Sequence, residues 1–160
     1  MENNKKTFII KPKMGQYLSD NWELVLIFIA SFIFSGIDVE SVSYFCLGTA
    51  LFTALFLLYR FWFFSTVEWI VSDEKIRYTR GIFNRSTDFL ELYRVIDYKE
   101  QQGLIQQLLN IKTLIIYSGD KSHGILCIYG LPENNDIVDF IRNSVEYQKK
   151  QKKIYEITNN

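Results

Sequence analysis

The sequence has very few residues of the kinds that build disulfide frameworks and metal centres. It contains two cysteines, Cys46 and Cys127, and one histidine, His123. The cysteines form no spacing motif, which excludes a disulfide framework and a zinc site. A single histidine also excludes most histidine-based metal sites and proton relays. We expect both cysteines to be small buried hydrophobic residues and His123 to lie exposed in a turn.

Net charge and nucleotide-binding motifs are missing as well. The chain has 18 basic and 18 acidic residues, so no overall field attracts nucleic acid. Neither G-x-x-x-x-G-K-[ST] nor G-x-G-x-x-G occurs in the sequence. No carboxylates are paired by spacing in a recognisable acid–base arrangement, and His123 alone gives no Ser-His-Asp order. We therefore expect a protein that is not an enzyme, holds no cofactor or metal, and does not bind nucleic acid.

What the sequence does contain is two long apolar runs. The first, Leu24 to Ile37, has 14 uncharged residues, or about 21 Å of helix against a hydrocarbon core of ~30 Å. The second, Val42 to Phe64, has 23 residues and reaches roughly 34 Å, interrupted only by Arg60. A short polar turn, residues 38–41, separates them. The pattern predicts a membrane helical hairpin over residues 22–64, with helices at about 22–37 and 42–64.

Aromatic residues near the ends of the runs support the membrane interpretation. Trp22 lies at one end, and Tyr59 and Trp62 lie at the other, where an aromatic belt would form. A signal peptide does not fit, because more than twenty residues precede the first run, no A-x-A site follows it, and a second apolar run comes next. Two buried helices of a soluble protein are the remaining alternative, but helices that are apolar on all sides need a larger protein around them.

The distribution of lysine and arginine predicts the orientation of the hairpin. Four lysines precede the first run, the turn has none, and the other fourteen basic residues lie from Arg60 onward. The positive-inside rule places both termini in the cytoplasm and the acidic turn outside. Residues 1–21 are accordingly expected to form a polar cytoplasmic segment.

From Ser65 onward the period of the pattern changes from helical to two. Stretches such as TVEWIV, KIRYTRG and RSTDFLEL predict strands, and KTLIIYS and GILCIY predict a hairpin around a polar turn. GLIQQLLN predicts one short helix closed by Asn110, a residue that tolerates the left-handed conformation. The last segment places Ile137, Ile141 and Val145 in one row of an amphipathic helix. Residues 65–148 are thus predicted to form six or seven antiparallel strands followed by a helix, with a basic and polar tail at 149–160.

This order of elements resembles the bacterial pleckstrin-homology-like (PH-like) domains of small membrane proteins, over about Asn21 to Tyr147. The matching positions are Trp69, Val71, Gly81, Ile82, Leu90, Leu92, Arg94, Val95, Gln102, Leu104, Leu108 and Thr113. Asn110 and Lys112 depart from the pattern, since the family often has glycines there. The resemblance implies a strongly bent β-barrel or sandwich capped by a C-terminal helix, on the cytoplasmic face of the bacterial inner membrane. It implies no catalytic activity.

The second apolar run passes into the first strand without a Pro-, Gly- or Ser-rich spacer. A helix joined directly to a strand leaves the domain little freedom to tumble, so we expect the domain to lie against the inner leaflet. Arg60 is then best placed at the cytoplasmic interface, where its side chain can reach lipid phosphates. Binding of a partner protein by this charge is the alternative.

Basic residues on the first two strands are candidates for lipid contact, because eukaryotic proteins of this fold bind phosphoinositides there. The turn between these strands, SDE, is acidic, but Lys75, Arg77, Arg80 and Arg85 follow it. These residues, with Arg60, are either part of a headgroup site or simply face an anionic or aqueous surface. The lysines within residues 149–153 could likewise dock on anionic lipid or end a solvated helix.

The predicted strand hairpin of residues 112–129 is apolar on both faces. Leu114, Ile116, Leu126 and Ile128 lie on one side, and Ile115, Tyr117, Ile125 and Cys127 lie on the other. Only one face can point into a small barrel, so the other must be covered. The cover is either the final helix, a second copy of the chain or another membrane protein.

Two hypotheses of different classes follow from these features. The first is a membrane-anchored PH-like interaction or scaffold module without catalytic activity, as an oligomer or as an accessory subunit of a membrane complex. The second is a sensor that binds a lipid or small ligand with the same barrel.

Overall fold

The computed structural model describes residues 7–120, 124–134 and 136–152. His123 and Lys153, for which the sequence suggested a turn position and a basic tail, lie outside the described residues. The helices and strands are β1 Thr7–Ile10, α1 Met14–Phe34, α2 Glu40–Ser65, β2 Glu68–Ser72, β3 Lys75–Arg80, β4 Ser86–Glu91, β5 Val95–Gln101, α3 Leu104–Leu108, β6 Ile111–Ser118, β7 Ile125–Pro132 and α4 Ile137–Gln151, with a 3-10 turn at Leu92–Arg94.

Two long apolar helices form the predicted hairpin. Helices α1 and α2 have 21 and 26 residues, and both are long and apolar enough to cross a membrane. The Ser43 hydroxyl donates to the Ser35 carbonyl at 2.6 Å and closes the connection between them. Large side chains such as Phe45 and Phe52 are more than 70% exposed (73% and 72%). Two helices cover only their facing sides, so this apolar surface needs another cover.

The first helix begins earlier than its hydrophobic run. Helix α1 starts at Met14, eight residues before Trp22, where the sequence pattern placed the start. Residues 14–21 are too polar for a hydropathy pattern to assign, yet Gln16 and Asn21 are buried at 5% and 3% exposure. A polar side chain can be buried when it is hydrogen-bonded. The polar N-terminal segment therefore contains the first two turns of α1. We call this end of α1, and the end of α2 next to the domain, the helix feet.

The same N-terminal segment also adds a strand to the domain. Strand β1 pairs antiparallel with β2, with Ile10 opposite Trp69. The resulting four-stranded sheet has the order β1-β2-β3-β4, and a second sheet has the order β5-β6-β7. In the described part of the chain, residues 65–148 contribute six strands, within the predicted six or seven, and β1 adds a strand that was not predicted. The predicted PH-like architecture of a helix hairpin, antiparallel sheets and a C-terminal helix is confirmed.

The core lies between the inner faces of the two sheets. Trp69, Ile76, Leu114 and Ile128 are fully buried there. Strand alternation explains this, because every second side chain of each strand points to the core. Asn110 has a φ of 50° just after α3, which confirms the left-handed conformation expected of it.

Helix α4 closes one side of the core with its apolar row. It packs against the 3-10 turn Leu92–Arg94, and its residues Ile141 and Val145 are each 1% exposed. The rings of Phe140 and Phe8 lie 4.7 Å apart, which joins this helix to β1. The last helix and the N-terminal strand therefore share one core.

Ile141→Asp should unfold the domain, because it buries a charge among apolar side chains without a partner. We expect a loss of stability of more than about 3 kcal/mol, measured by thermal unfolding of the detergent-purified protein with circular dichroism. Asn143→Asp, two residues along α4 at an exposed position, is the matched control and should leave the melting temperature nearly unchanged. Equal stability of the two variants would show that α4 does not seal the core.

Candidate membrane–domain junction and exposed sheet face

The feet of the two long helices are joined by polar contacts. The Tyr17 hydroxyl donates to the Leu57 carbonyl of α2 at 2.8 Å. The Asn21 amide donates to the Tyr17 carbonyl at 2.7 Å, and Arg60 Nε donates to Asn21 Oδ1 at 3.1 Å. The ring of Tyr17 also packs on Phe61 and Phe64, with centroids 5.8 and 5.7 Å away. These contacts fix how the two helices meet at the end next to the domain.

Arg60 takes part in this junction. Its side chain is exposed overall, so its outer nitrogens remain available for lipid or water while Nε holds Asn21. The expectation of a snorkelling anchor is not tested by these contacts, but they add a hydrogen-bonding role to Arg60. The sequence analysis did not identify Asn21 as a junction residue, because hydropathy does not distinguish it from the other polar residues before the first apolar run.

A second set of buried polar contacts ties α1 to the domain. Gln106 of α3 is 7% exposed, and its amide donates to Gln16 Oε1 at 2.7 Å and to Thr113 Oγ1 at 2.9 Å. The carbonyl oxygen of the same Gln106 amide accepts from the Gly103 backbone N–H at 2.8 Å. Every polar atom of this side chain is therefore engaged, and one side chain links α3, β6 and α1. The resemblance pointed to Gln102 in this segment, whereas the side chain that joins the helix is Gln106.

The foot of α1 also sits directly on the backbone of β7. Gly130 has a φ of +70°, and a Cβ there would lie 2.9 Å from the Lys13 nitrogen and 3.0 Å from the Pro12 and Gln16 Cβ atoms. The Lys13 N–H donates to the Gly130 carbonyl at 3.1 Å. Glycine provides both the left-handed conformation and the space for this approach. At the other foot, only Thr66 and Val67 separate α2 from β2, and Val67 is 1% exposed.

The cavity between the helix feet and the domain is small. About 120 Å³ is enclosed by residues that include Tyr17, Asp20, Arg60 and Tyr129, well below the ~300 Å³ at which small-molecule sites begin. Burial raises the pKa of Tyr129, and a hydrogen bond with Tyr78 acts in the same direction. This phenol therefore stays neutral. The space suits a few waters better than a ligand.

A groove lies between the β2–β3 turn and α4. It has a volume of about 550 Å³, is open to solvent, and is lined by residues such as Asp73, Glu74, Ser144 and Gln148. Among the described residues, no group of three or more His, Cys, Asp or Glu side chains could hold a metal ion.

The basic candidates for lipid contact are spread over the domain. Arg80 and Arg85 flank the β3–β4 turn, whose Gly81 N–H donates to Thr66 Oγ1 at 3.1 Å, next to the end of α2. Lys75 lies at the opposite end of β3, with its ammonium 5.2 Å from the centre of the Phe89 ring, and Arg77 lies between them. Arg80 pairs with Asp88 at 3.8 Å. Of the four candidates on the domain, only Arg80 and Arg85 therefore come near a helix foot, while Arg60 lies within α2 itself, and the set does not converge on one headgroup.

The two faces of the β6–β7 hairpin differ as the alternation predicted. Leu114, Ile116 and Ile128 are fully buried, and Leu126 is 7% exposed. Four side chains form the opposite face. Ile115 and Tyr117 are half-buried, and Ile125 and Cys127 are exposed. We refer to these four residues as the outer face.

The final helix packs elsewhere and does not close the outer face. Helix α4 contacts the 3-10 turn, and Ile125 remains 60% exposed. The expectation that Cys127 is buried is therefore wrong, because its strand position points away from the core; Cys46 is half-buried. Partial burial among its neighbours still raises the pKa of the Cys127 thiol, so its reactive thiolate is scarce at neutral pH.

Comparison with known protein families identifies the domain. Residues 24–145 match the bacterial PH domain family, a stretch that covers more than half of the 160 residues. No curated protein and no solved structure matches the chain significantly.

Gln16→Ala and Gln106→Ala should each cost about 1–3 kcal/mol, because each leaves a buried amide without its partner. The double variant should cost less than the sum of the two, since the second substitution removes a group that is already unpaired. Thermal unfolding of the detergent-purified protein measures all three. Gln107→Ala, at an exposed position of the same helix, is the control. Strict additivity of the two effects would show that the Gln16–Gln106 contact does not couple the helix to the domain.

Proposed function

Since the chain belongs to the bacterial PH domain family, we propose that it is a membrane-anchored interaction module without catalytic activity. The hairpin crosses the cytoplasmic membrane, and the PH-like domain is held at the cytoplasmic surface. The outer face binds protein, either a second copy of this chain or another protein of the same membrane. In this way the chain contributes to an oligomer or acts as an accessory subunit of a membrane complex.

The exposed apolar surface of the hairpin supports insertion in the membrane. Both helices have the length and hydropathy of membrane spans, and about 6% of each span is buried within the chain. Exposing such a surface to lipid costs no hydrophobic free energy, whereas exposing it to water does. The basic residues lie on the two flanks and not in the connection, which favours a cytoplasmic domain.

The single observation that supports a protein partner is the outer face itself. Four neighbouring side chains on two paired strands are apolar, with Ile115 opposite Cys127 and Tyr117 opposite Ile125. In the described part of the chain, β7 is one of the two edge strands of its sheet. An apolar row at a sheet edge is typical of association with another chain. The junction described above keeps this row at a fixed position relative to the helices.

The alternative, a lipid or small-ligand sensor, has weaker support. A phosphorylated headgroup needs two or three converging basic groups, and Lys75 lies at the opposite end of β3 from Arg80. The junction cavity is smaller than a ligand pocket. The groove beside α4 is large enough for a ligand, but it is open to solvent and lined mostly by acidic and polar side chains, whereas ligand pockets are mostly apolar.

Cysteine labelling in intact cells tests the topology. With Cys46→Ser and Cys127→Ser as background, a cysteine at Val39, in the connection between the helices, should react with an impermeant maleimide. A cysteine at Arg142, on the exposed side of α4, should be protected until the membrane is opened. The positive-inside distribution is the reason for this orientation. Labelling of Arg142→Cys in intact cells would exclude a cytoplasmic domain.

Cross-linking through Cys127 tests the outer face. In membranes containing the Cys46→Ser chain, a bifunctional maleimide should give a dimer or a defined adduct with a membrane protein. A mildly alkaline buffer is needed because the pKa of this thiol is raised. Ile125→Asp should abolish the adduct, since it places a charge in the contact, and should leave the domain folded.

Phe89→Asp is the matched control for this experiment. Phe89 is 50% exposed on β4, in the other sheet, and its replacement should leave the adduct unchanged. A monomeric product in every chain, together with unfolding in Ile125→Asp, would show that the outer face is part of the folded core and not a contact surface.

A further inference from the structure

The most exposed large apolar side chains of the described residues belong to the domain and not to the hairpin. Phe83 is 94% exposed, and Leu104 and Leu108 are each 82% exposed. Phe83 lies in the turn between β3 and β4, and the two leucines lie one helical turn apart on α3. Three such side chains at the surface of a small domain call for a cover.

Helix α3 lies level with the end of the apolar run of α2. Leu109, just after α3, lies within van der Waals range of Gly15 of α1, where a Cβ would be 3.3 Å from Leu109 Cδ1. Gly15 is two residues, about 3 Å of rise, from Tyr17. Tyr17 packs on Phe61 and Phe64 at the end of the second apolar run. The two leucines therefore lie near the level at which the apolar run of α2 ends, which would place them outside the hydrocarbon, on the interfacial side.

The β3–β4 turn reaches the foot of the other helix. Gly81 N–H donates to the side chain of Thr66, the residue that follows α2. Gly81 has a φ of +112°, and a Cβ there would be 2.0 Å from the Asn84 carbonyl oxygen. The turn is thus tightly closed, it is attached to the residue that follows α2, and it leaves Phe83 exposed. Arg80 and Arg85 lie on either side of it.

We propose that Phe83, Leu104 and Leu108 insert into the interfacial region of the bilayer and seat the domain on the membrane at two points. This rests on the proposed function in one respect, namely that the hairpin crosses the membrane. Helix α1, which packs against α3, adds Met14 and Leu18, which are 57% and 44% exposed. A lipid surface can cover the β3–β4 turn and α3 at the same time.

Charge around the two points fits an anionic lipid surface. Lys11 and Lys13 are exposed just before α1, and Arg85 is exposed beside the turn. A basic residue near an anionic surface is attracted to it. The acidic residues on the same side include Asp20 and Glu23, which are exposed on α1, Asp88, which pairs with Arg80, and Glu68, which is half-buried at the start of β2. The domain would be held by the three apolar side chains and oriented by these charges.

Spin labels on the full chain in vesicles of phosphatidylcholine and phosphatidylglycerol test the proposal. In the Cys46→Ser, Cys127→Ser background, labels replace Phe83 (Phe83→Cys) and Leu104 (Leu104→Cys). The ratio of oxygen to nickel-chelate accessibility should be several-fold higher at both than at Tyr147→Cys. Tyr147 is a matched control, since it is 53% exposed and lines the groove at the β2–β3 turn, away from the helix feet.

The possible results are distinct. Labels at Phe83 and Leu104 that are as open to the nickel chelate as the Tyr147 label would overturn the proposal. Labels shielded from both reagents would overturn it as well, in favour of a protein contact. A fourth label at Leu51, in the middle of α2 and 65% exposed, reports on the hairpin. If the Leu51 label is also accessible to the nickel chelate, the proposed membrane anchoring is wrong. If the Leu51 label is accessible mainly to oxygen while the domain labels are not, only the proposed insertion of the domain is wrong.

Discussion

The hydrogen bond from the Gln106 amide to Gln16 Oε1, at 2.7 Å and across 90 residues of sequence, joins the two halves of this protein. Without it, α1 would meet the domain through apolar and backbone contacts, such as those of Gly15 with Leu109 and of Lys13 with Gly130, and through the strand β1 that precedes it. With it, the helix foot is held by a fully satisfied buried amide, which fixes one rotation of the helix relative to the sheets. The other helix has only Thr66 and Val67 before its strand. Both helix feet are therefore fixed to the domain, so the orientation of the domain is set by that of the hairpin.

This constraint gives a reason for the polar residues at the foot of α1. Gln16, Tyr17 and Asn21 would weaken a membrane span if they faced lipid, but each is hydrogen-bonded to the domain or to α2. A polar side chain satisfied in this way stabilises one arrangement and penalises the alternatives, because any other rotation leaves it unpaired. Arg60 extends the same set through Asn21. The apolar parts of the helices provide affinity for a membrane, and these contacts fix the position of the domain relative to the helices.

This fixed arrangement explains why the domain exposes apolar surfaces that a soluble domain would bury. The outer face of the β6–β7 hairpin and the side chains of Phe83, Leu104 and Leu108 lie on separate parts of the domain. A freely tumbling domain would expose all of them to water and to nonspecific contacts. In a domain held at a membrane, the surface near the helix feet is available for lipid, and the edge strand β7 remains available for protein. The two proposals concern different faces and can fail separately.

Local periodicity determined much of the fold. The two apolar runs, the alternation of Leu114 and Ile116 with Ile115 and Tyr117, and the row of Ile141 and Val145 could be assigned from the sequence, because each depends on residues a few positions apart. The tertiary structure alone decided that Met14 begins a helix, that Thr7–Ile10 joins the first sheet, and that Cys127 is exposed. It also decided which glutamine is buried and that Arg60 meets Asn21. Those contacts join residues far apart in sequence, where hydropathy and spacing have no signal, and they exist only once the chain has packed.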